Sequence, residues 1–207
     1  MSGTARCVAI CLAEIQSAWL DLSPQAGTIS MLFGDGASAI IVSNEQRNDA
    51  LEISDVYLST DGSYTDDLGI RCPGTEFGAT IKHNENIGDY VAHMNRQSVI
   101  LQASRRMVTA CKTVLERNGL TAASISWIVP HQANANLLAK VVRDIQFPSD
   151  KNGVVTVLED TGNTSSASMG IALDTLRRST SIQPNDYLLL PAFGAGFTWG
   201  AGLCRAL

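Results

Sequence analysis

Between Ile125 and Ile145 the sequence changes its hydrophobic period once, and that change constrains the fold more than any other feature. Ile125 to Val129 is a short apolar run of strand length. Beyond it, Leu137, Leu138, Val141, Val142 and Ile145 recur at helical spacing. The stretch between them, Pro130-His131-Gln132-Ala133-Asn134, is therefore a strand-to-helix turn. Backbone at such a turn cannot close its own hydrogen bonds, and α/β folds commonly place chemistry there. The same alternation runs through the rest of the second half. Ile100, Ala103, Met107, Ala110, Cys111 and Val114 share one face of a helix over Gln97 to Arg117, with Asn118-Gly119 as its stop. Val154 to Leu158 reads as a strand, and Ser166 to Arg178 as a helix with Met169, Ala172, Leu173 and Leu176 inward. Tyr187 to Leu190 and Ala201 to Arg205 read as two last strands around a glycine-rich turn. This order predicts an α/β fold with an α/β/α layered mixed sheet.

The first half is more broken. Cys7 to Leu12, Ile29 to Phe33, Ala37 to Val42 and Ile53 to Ser59 are strand candidates. Gly34-Asp35-Gly36 separates two of them and predicts a hairpin. Gly36, Ala37, Ser38 and Ala39 are all small, which predicts close approach of another part of the backbone. Residues 60–90 read as a long connection that includes Asp66-Asp67 and Cys72-Pro73-Gly74. His83 and His93 are given no role. The expected division is 1–90 and 91–207.

Composition excludes several classes. With 45% hydrophobic and 17% charged residues the chain has enough apolar matter for a core. No apolar run is long enough to span a bilayer, and no basic-then-apolar segment opens the sequence, so no membrane role and a cytoplasmic setting are expected. Five unevenly spaced cysteines suggest no disulfide framework, and no Cys/His cluster has metal spacing. The net charge of −5 conceals an asymmetry: residues 1–90 carry 13 acidic and 4 basic side chains, residues 91–207 carry 7 and 11. The second half is thus expected to be open to an anionic partner. Its cations are not interleaved with aromatics, so nucleic acid is not expected. There is no Gly-x-Ser-x-Gly elbow and no phosphate-binding Gly-x-x-x-x-Gly-Lys. Gly194, Gly196 and Gly200 do not have the dinucleotide spacing.

Three segments taken together resemble one family. Pro130-His131-Gln132-Ala133-Asn134, Gly162-Asn163-Thr164-Ser165-Ser166-Ala167-Ser168 and Phe193-Gly194-Ala195-Gly196-Phe197-Thr198-Trp199-Gly200 are similar to the carboxy-terminal signatures of β-ketoacyl-acyl carrier protein synthase III. Phe33-Gly34-Asp35-Gly36-Ala37 and His93-Met94-Asn95 resemble the same family. The resemblance implies a thiolase-like fold of two similar halves, of which the chain would hold the carboxy-terminal one complete and the tail of a truncated first. It implies decarboxylative Claisen condensation of an acyl thioester with malonyl-acyl carrier protein. Acyl carrier protein and acyl-coenzyme A would be the partners, pantetheine thioesters the substrates, and no cofactor or metal would be needed. At full length a homodimer is implied.

By the same resemblance, His131 and Asn163 would donate hydrogen bonds to the thioester oxygen on which charge builds. An asparagine amide is neither acid nor base near neutral pH, which suits a donor. The backbone N–H of Ala195, in the turn with Gly194 and Gly196, would face the acyl thioester, and Phe193 would wall the acyl pocket. Asn134, Gln132 and Arg143 would contact substrate, Asn134 on the pantetheine arm. The family's nucleophile is a cysteine at a helix start, well upstream of the Gly-Asp-Gly segment. Cys7, Cys11, Cys72, Cys111 and Cys204 do not fit that position. Asn136 and Leu101 stand where the family usually has an arginine and often a lysine. The chain alone is therefore expected to be inactive in condensation; a non-catalytic partner subunit or acyl-binding module is the alternative.

Overall fold

The computed structural model describes residues 4–24, 27–72, 87–148, 150, 153–179 and 182–207. Its centre is a mixed four-stranded sheet. Strand β7 (Tyr187–Gly194) pairs parallel with the short β6 (Trp127–Ile128) and antiparallel with β8 (Thr198–Ala206). Strand β3 (Leu51–Thr60) pairs antiparallel with the other edge of β8, giving the order β3-β8-β7-β6. β3 thus precedes residue 91 in the chain but joins the sheet built by the residues after it.

Side chains alternate across this sheet and bury against helices on both faces. Leu189 and Leu203 point into one core with Met107, Ala110, Cys111 and Val114 of α2 (Arg96–Arg117) and Leu137 and Val141 of α3 (Ala135–Asp144). Their sequence neighbours Leu188 and Cys204 point the other way, into a second core with Ala172 and Leu176 of α5 (Ser168–Ser179). That is the expected α/β/α layering. Each fully buried leucine contributes about 1.5–3 kcal/mol relative to exposure, so Leu188, Leu189 and Leu203, none of them exposed to solvent, pin the sheet between its helices.

The helix ends follow the sequence signals. Asn95 caps α2 with its side-chain oxygen, which accepts from the Ser98 N–H at 3.3 Å. Gly119 takes the left-handed conformation at φ +64°, and the Gly119 and Leu120 N–H groups close on Glu116 and Leu115.

The first half departs from expectation in one place. Ile29 to Phe33 is not a strand: Gly27–Ser30 forms the helical turn α1, and no hairpin forms at Gly34-Asp35-Gly36. Instead β2 (Gly36–Ser43) pairs antiparallel with β1 (Cys7–Glu14), Cys7 opposite Ser43 and Glu14 opposite Gly36. The cause is a competing partner. The Asn163 N–H donates to Leu32 O at 2.8 Å, and the Gly34 N–H donates to Asn163 O at 3.0 Å. Backbone held in this way by a distant loop is unavailable for a local turn.

Of the long connection, Gly62–Asp67 is a 3-10 segment, and β4 (Leu68–Gly69) pairs with β5 (His93–Met94). Residues 73–86, with His83, lie outside the described residues. His93 Nε2 bonds Asp66 O at 3.1 Å. The Val154 to Leu158 strand is reduced to a single bridge from Val154 to Ile128, and Leu158–Thr161 forms the helical turn α4.

Part of the charge asymmetry is answered within the chain. Arg106 pairs with Asp61 at 2.8 Å, Arg117 with Asp55 at 2.9 Å and Arg205 with Glu52 at 2.8 Å, each joining a cation of the second half to an acid of the first. Arg106 also lies 4.1 Å from the Trp199 ring centre and 5.1 Å from that of Tyr64. The expected anionic-partner surface therefore has fewer free cations than the sequence count implies.

Candidate active site

Two chain segments carry His131 and Asn163, and the end of β7 with its turn adds Phe193, Gly194 and Ala195. The first is the turn after β6. Val129 N–H donates to Leu189 O and His131 N–H to Pro191 O, both at 2.9 Å, so the backbone tracks β7 up to His131 and then leaves it. Gln132 closes the turn from inside. Its Nε2 donates to Pro130 O at 2.8 Å and to Val155 O at 3.2 Å, and its Oε1 accepts from the Val157 N–H at 3.0 Å. With no exposed surface and its amide engaged by backbone, Gln132 is built into the turn as a strut and lies off the cavity wall, away from where a substrate contact was expected. Asn134 begins α3, its Oδ1 accepting from the Leu137 N–H at 2.9 Å. That oxygen is committed to the cap, which leaves the amide nitrogen for other partners.

The second segment is the Gly162–Ser168 loop, held by the Gly34 stretch. Gly34 lies so close to this loop that an added Cβ would sit 2.1 Å from Thr161 O. A Cβ on Gly36 would meet the Thr164 methyl at 2.9 Å, and one on Gly170 would meet Ser38 Oγ at 2.3 Å. The predicted close approach at Gly36 to Ala39 is thus the contact that seats the Asn163 loop. Asn163 is 8% exposed. Its Oδ1 accepts from the Ser165 N–H at 2.9 Å, with Ser165 held at φ +50°. The carbonyl side of the amide is therefore engaged by the loop, and its NH2 side makes no hydrogen bond among the described residues.

His131, Asn134, Asn163, Phe193, Gly194 and Ala195 all line one cavity of about 1180 Å³. Gly196, Gln132 and Arg143 are not on its wall. Arg143 projects from α3, 71% exposed, and pairs with Asp144 at 3.5 Å. Lys140 and Asn136 of the same helix do line the cavity, as does Arg96. The charged side chains on the described wall are thus Lys140 and Arg96, with no carboxylate. Much of the remainder is apolar: Ile53, Val56 and Leu58 of β3, Met94 and Val99, and Phe193, whose ring centre lies 4.8 Å from that of Phe197.

Burial lowers the His131 pKa from 6.5 to about 4, because charging the ring would remove an ion from water. At neutral pH the imidazole is uncharged. Its Nδ1 lies 2.8 Å from Ser168 Oγ, and Nε2 makes no hydrogen bond among the described residues. The site therefore holds two neutral hydrogen-bonding groups on one wall, with Arg96 and the Asp144-paired Lys140 nearby and no carboxylate on the described wall. Such a wall stabilises negative charge without removing a proton.

None of the five cysteines opens a helix. Cys7 and Cys11 lie in β1, Cys111 is mid-α2, Cys204 is in β8, and Cys72 follows β4. Burial pushes the Cys111 thiol up to about 12 and that of Cys204 to about 11. The described residues hold no group of His, Cys, Asp and Glu fit for a metal ion and no helix long and apolar enough to cross a membrane. Ser165 and Ser168 have no role in the sequence reading beyond their place in a motif. Their partners, Asn163 and His131, meet them only once the loop is folded against the turn.

Residues 115–206 match the family model described as 3-oxoacyl-[acyl-carrier-protein] synthase III C terminal, and residues 1–62 match the model described as 3-oxoacyl-[acyl-carrier-protein] synthase III. Because the second match covers the amino-terminal stretch, the description of the chain as a carboxy-terminal portion is not borne out. The chain is 36% identical over 200 residues to β-ketoacyl-[acyl-carrier-protein] synthase III of Oleidesulfovibrio alaskensis, a match covering 96% of the chain and 59% of that protein. It is 39% identical over 175 residues to the synthase III of Chlamydia caviae, covering 84% and 51%. The crystal structure of 3-oxoacyl-(acyl carrier protein) synthase III from Pseudomonas aeruginosa PAO1 superposes with a TM-score of 0.84 at 28% identity, covering 99% of the chain and 60% of that structure. The chain thus spans up to about three fifths of the length of these relatives, and its layered mixed sheet is the thiolase-like fold they share. On these matches, the chain belongs to the 3-oxoacyl-[acyl-carrier-protein] synthase III family.

Proposed function

We propose that this chain carries the oxyanion-stabilising part of a condensing site that joins an acyl thioester to a malonyl thioester of acyl carrier protein or coenzyme A. The observation that carries the reading is the placement of His131 and Asn163 on one cavity wall, both uncharged, with the asparagine oxygen already engaged. In the reaction, the malonyl carboxylate leaves as carbon dioxide and its bond pair passes to the adjacent carbon, generating an enolate. The negative charge rests mainly on the thioester oxygen, where fixed N–H donors lower the barrier. The enolate carbon then attacks the acyl carbonyl, and the acyl group's thiolate departs. A neutral imidazole suits this step because it donates without competing for the carboxylate as a cation would. Arg96 on the wall supplies attraction for the anionic substrate, Lys140 being shared with Asp144 at 2.5 Å, and the apolar β3 side chains offer a place for its acyl part.

The chain's own cysteines do not serve as the acyl carrier in this reading, because a thiolate needs a helix start or an adjacent cation to form. The chain alone therefore decarboxylates malonyl thioesters slowly and does not condense them. The test is release of labelled carbon dioxide from malonyl-coenzyme A labelled in its free carboxylate, with His131→Ala and Asn163→Ala alongside. Release that falls in both variants is expected; equal release in all three chains overturns the donor assignment. Incubation with labelled acetyl-coenzyme A should leave all five cysteines unmodified. An acyl-cysteine that survives denaturation overturns the second part and identifies the nucleophile.

A further inference from the structure

We propose that Ser168 is a positioning residue that sets the tautomer of His131, holding the ring proton on Nε2 so that the imidazole offers the cavity a donor. The inference rests on the donor role proposed above for His131. Ser168 is the first residue of α5 and has no exposed surface. Its hydroxyl oxygen has two partners, His131 Nδ1 at 2.8 Å and the Gln132 backbone nitrogen at 3.2 Å. A hydroxyl has one proton to give and two lone pairs to receive. The Gln132 N–H can only donate, so it takes a lone pair.

Two arrangements remain. If Nδ1 also carried a proton, the oxygen would receive two donors, and its own buried proton would have no acceptor among the described residues. A buried donor left without a partner is costly. If the hydroxyl donates to Nδ1, the Gln132 N–H, the hydroxyl proton and Nδ1 are all satisfied. The neutral ring then carries its proton on Nε2. Asn163 is oriented by the same logic, since the Ser165 N–H anchors its oxygen and leaves the amide N–H groups free. The order of control runs outward from the core. The Gln132 amide, bonded to Pro130, Val155 and Val157, fixes the turn; the turn aims the Gln132 N–H at Ser168; Ser168 then sets the ring.

The experiment is nitrogen NMR of the chain labelled in its three histidines, at a pH where the imidazole is neutral, with His131 assigned by substitution. In the unaltered chain the His131 ring should show one protonated nitrogen, Nε2, and a hydrogen-bonded acceptor, Nδ1. Ser168→Ala should shift the Nδ1 signal away from its hydrogen-bonded position, move both nitrogens toward exchanging tautomers, and slow malonyl decarboxylation about tenfold. Ser168→Thr, which restores a hydroxyl, should recover the unaltered ring spectrum. A proton found on Nδ1 in the unaltered chain overturns the proposal, and that reading needs no variant to fold. An unchanged ring spectrum in a folded Ser168→Ala chain also overturns it. The tautomer is read without substrate, so an Nε2 proton together with absent decarboxylation counts against the donor role and not against Ser168.

Discussion

Replacing Gln132 by leucine separates a structural strut from a substrate contact. Leucine fits the volume approximately but carries no polar atom. The substitution leaves the Val157 N–H without its acceptor at 3.0 Å, and Pro130 O and Val155 O without the amide donors at 2.8 and 3.2 Å. All three groups face a position with no solvent exposure, so water cannot replace the amide. A buried donor or acceptor that loses its partner costs about 1–3 kcal/mol. The carbonyls keep a second lone pair for other contacts, so the lower end applies to them, and the sum is about 3–5 kcal/mol. Against a typical domain stability of about 5–15 kcal/mol this is a large fraction. In urea unfolding, a slope of about 2 kcal/mol per molar converts it into a midpoint lowered by about 2 M. If Gln132→Leu unfolds within about 0.5 M of the unaltered chain but loses affinity for malonyl-coenzyme A, the strut assignment is wrong and the residue contacts substrate after all.

The geometry sets three other outcomes. Gly34→Ala places a Cβ 2.1 Å from Thr161 O, so the Asn163 loop must move; stability in thermal unfolding should fall by about 1–3 kcal/mol or more, and decarboxylation should be lost with it. The His131 pKa is about 4 in the folded chain against 6.5 ordinarily, so the unfolded chain binds the proton more readily. This group costs no stability above 6.5, destabilises increasingly as pH falls toward 4, and adds no further change below that, and His131→Gln should remove this part of the pH dependence of urea unfolding. Thiol alkylation followed by mass spectrometry should modify the exposed Cys7 and Cys11 while sparing Cys111 and Cys204, whose buried thiols are held at about 12 and 11.

What was legible in the sequence was what depends on near neighbours. The 3.6-residue period of α2 and the stop at Gly119 are local, and both stand in the structure. The placement of His131 on a strand-to-helix turn follows from the change of period on either side of it. Ile29 to Phe33 misled because a short apolar run reads alike as strand or helical turn, and its real partner, Asn163, is far away in sequence. The Asp-Gly pair in that stretch has a hairpin's composition, but its flanking glycine serves close packing on Thr161. Gln132 illustrates the opposite case. A polar residue beside a histidine proposed as a donor invites a substrate-contact reading, and only its burial and three backbone partners point to a structural one. Ser168 went unassigned for a related reason, since a serine among small residues carries no mark of the histidine it will meet.

The central claim is that His131 and Asn163 together polarise a thioester oxygen. Isotope-edited infrared spectroscopy of malonyl-coenzyme A carrying carbon-13 at the thioester carbonyl reads that polarisation directly. Bound to the chain, the carbonyl stretch should move to lower frequency than in water, where its hydrogen bonds are mobile and shared. Each of His131→Ala and Asn163→Ala should return part of the shift, and the double variant nearly all of it. A bound carbonyl stretch at the solution frequency in the unaltered chain, or a shift that survives loss of both side chains, would contradict the account.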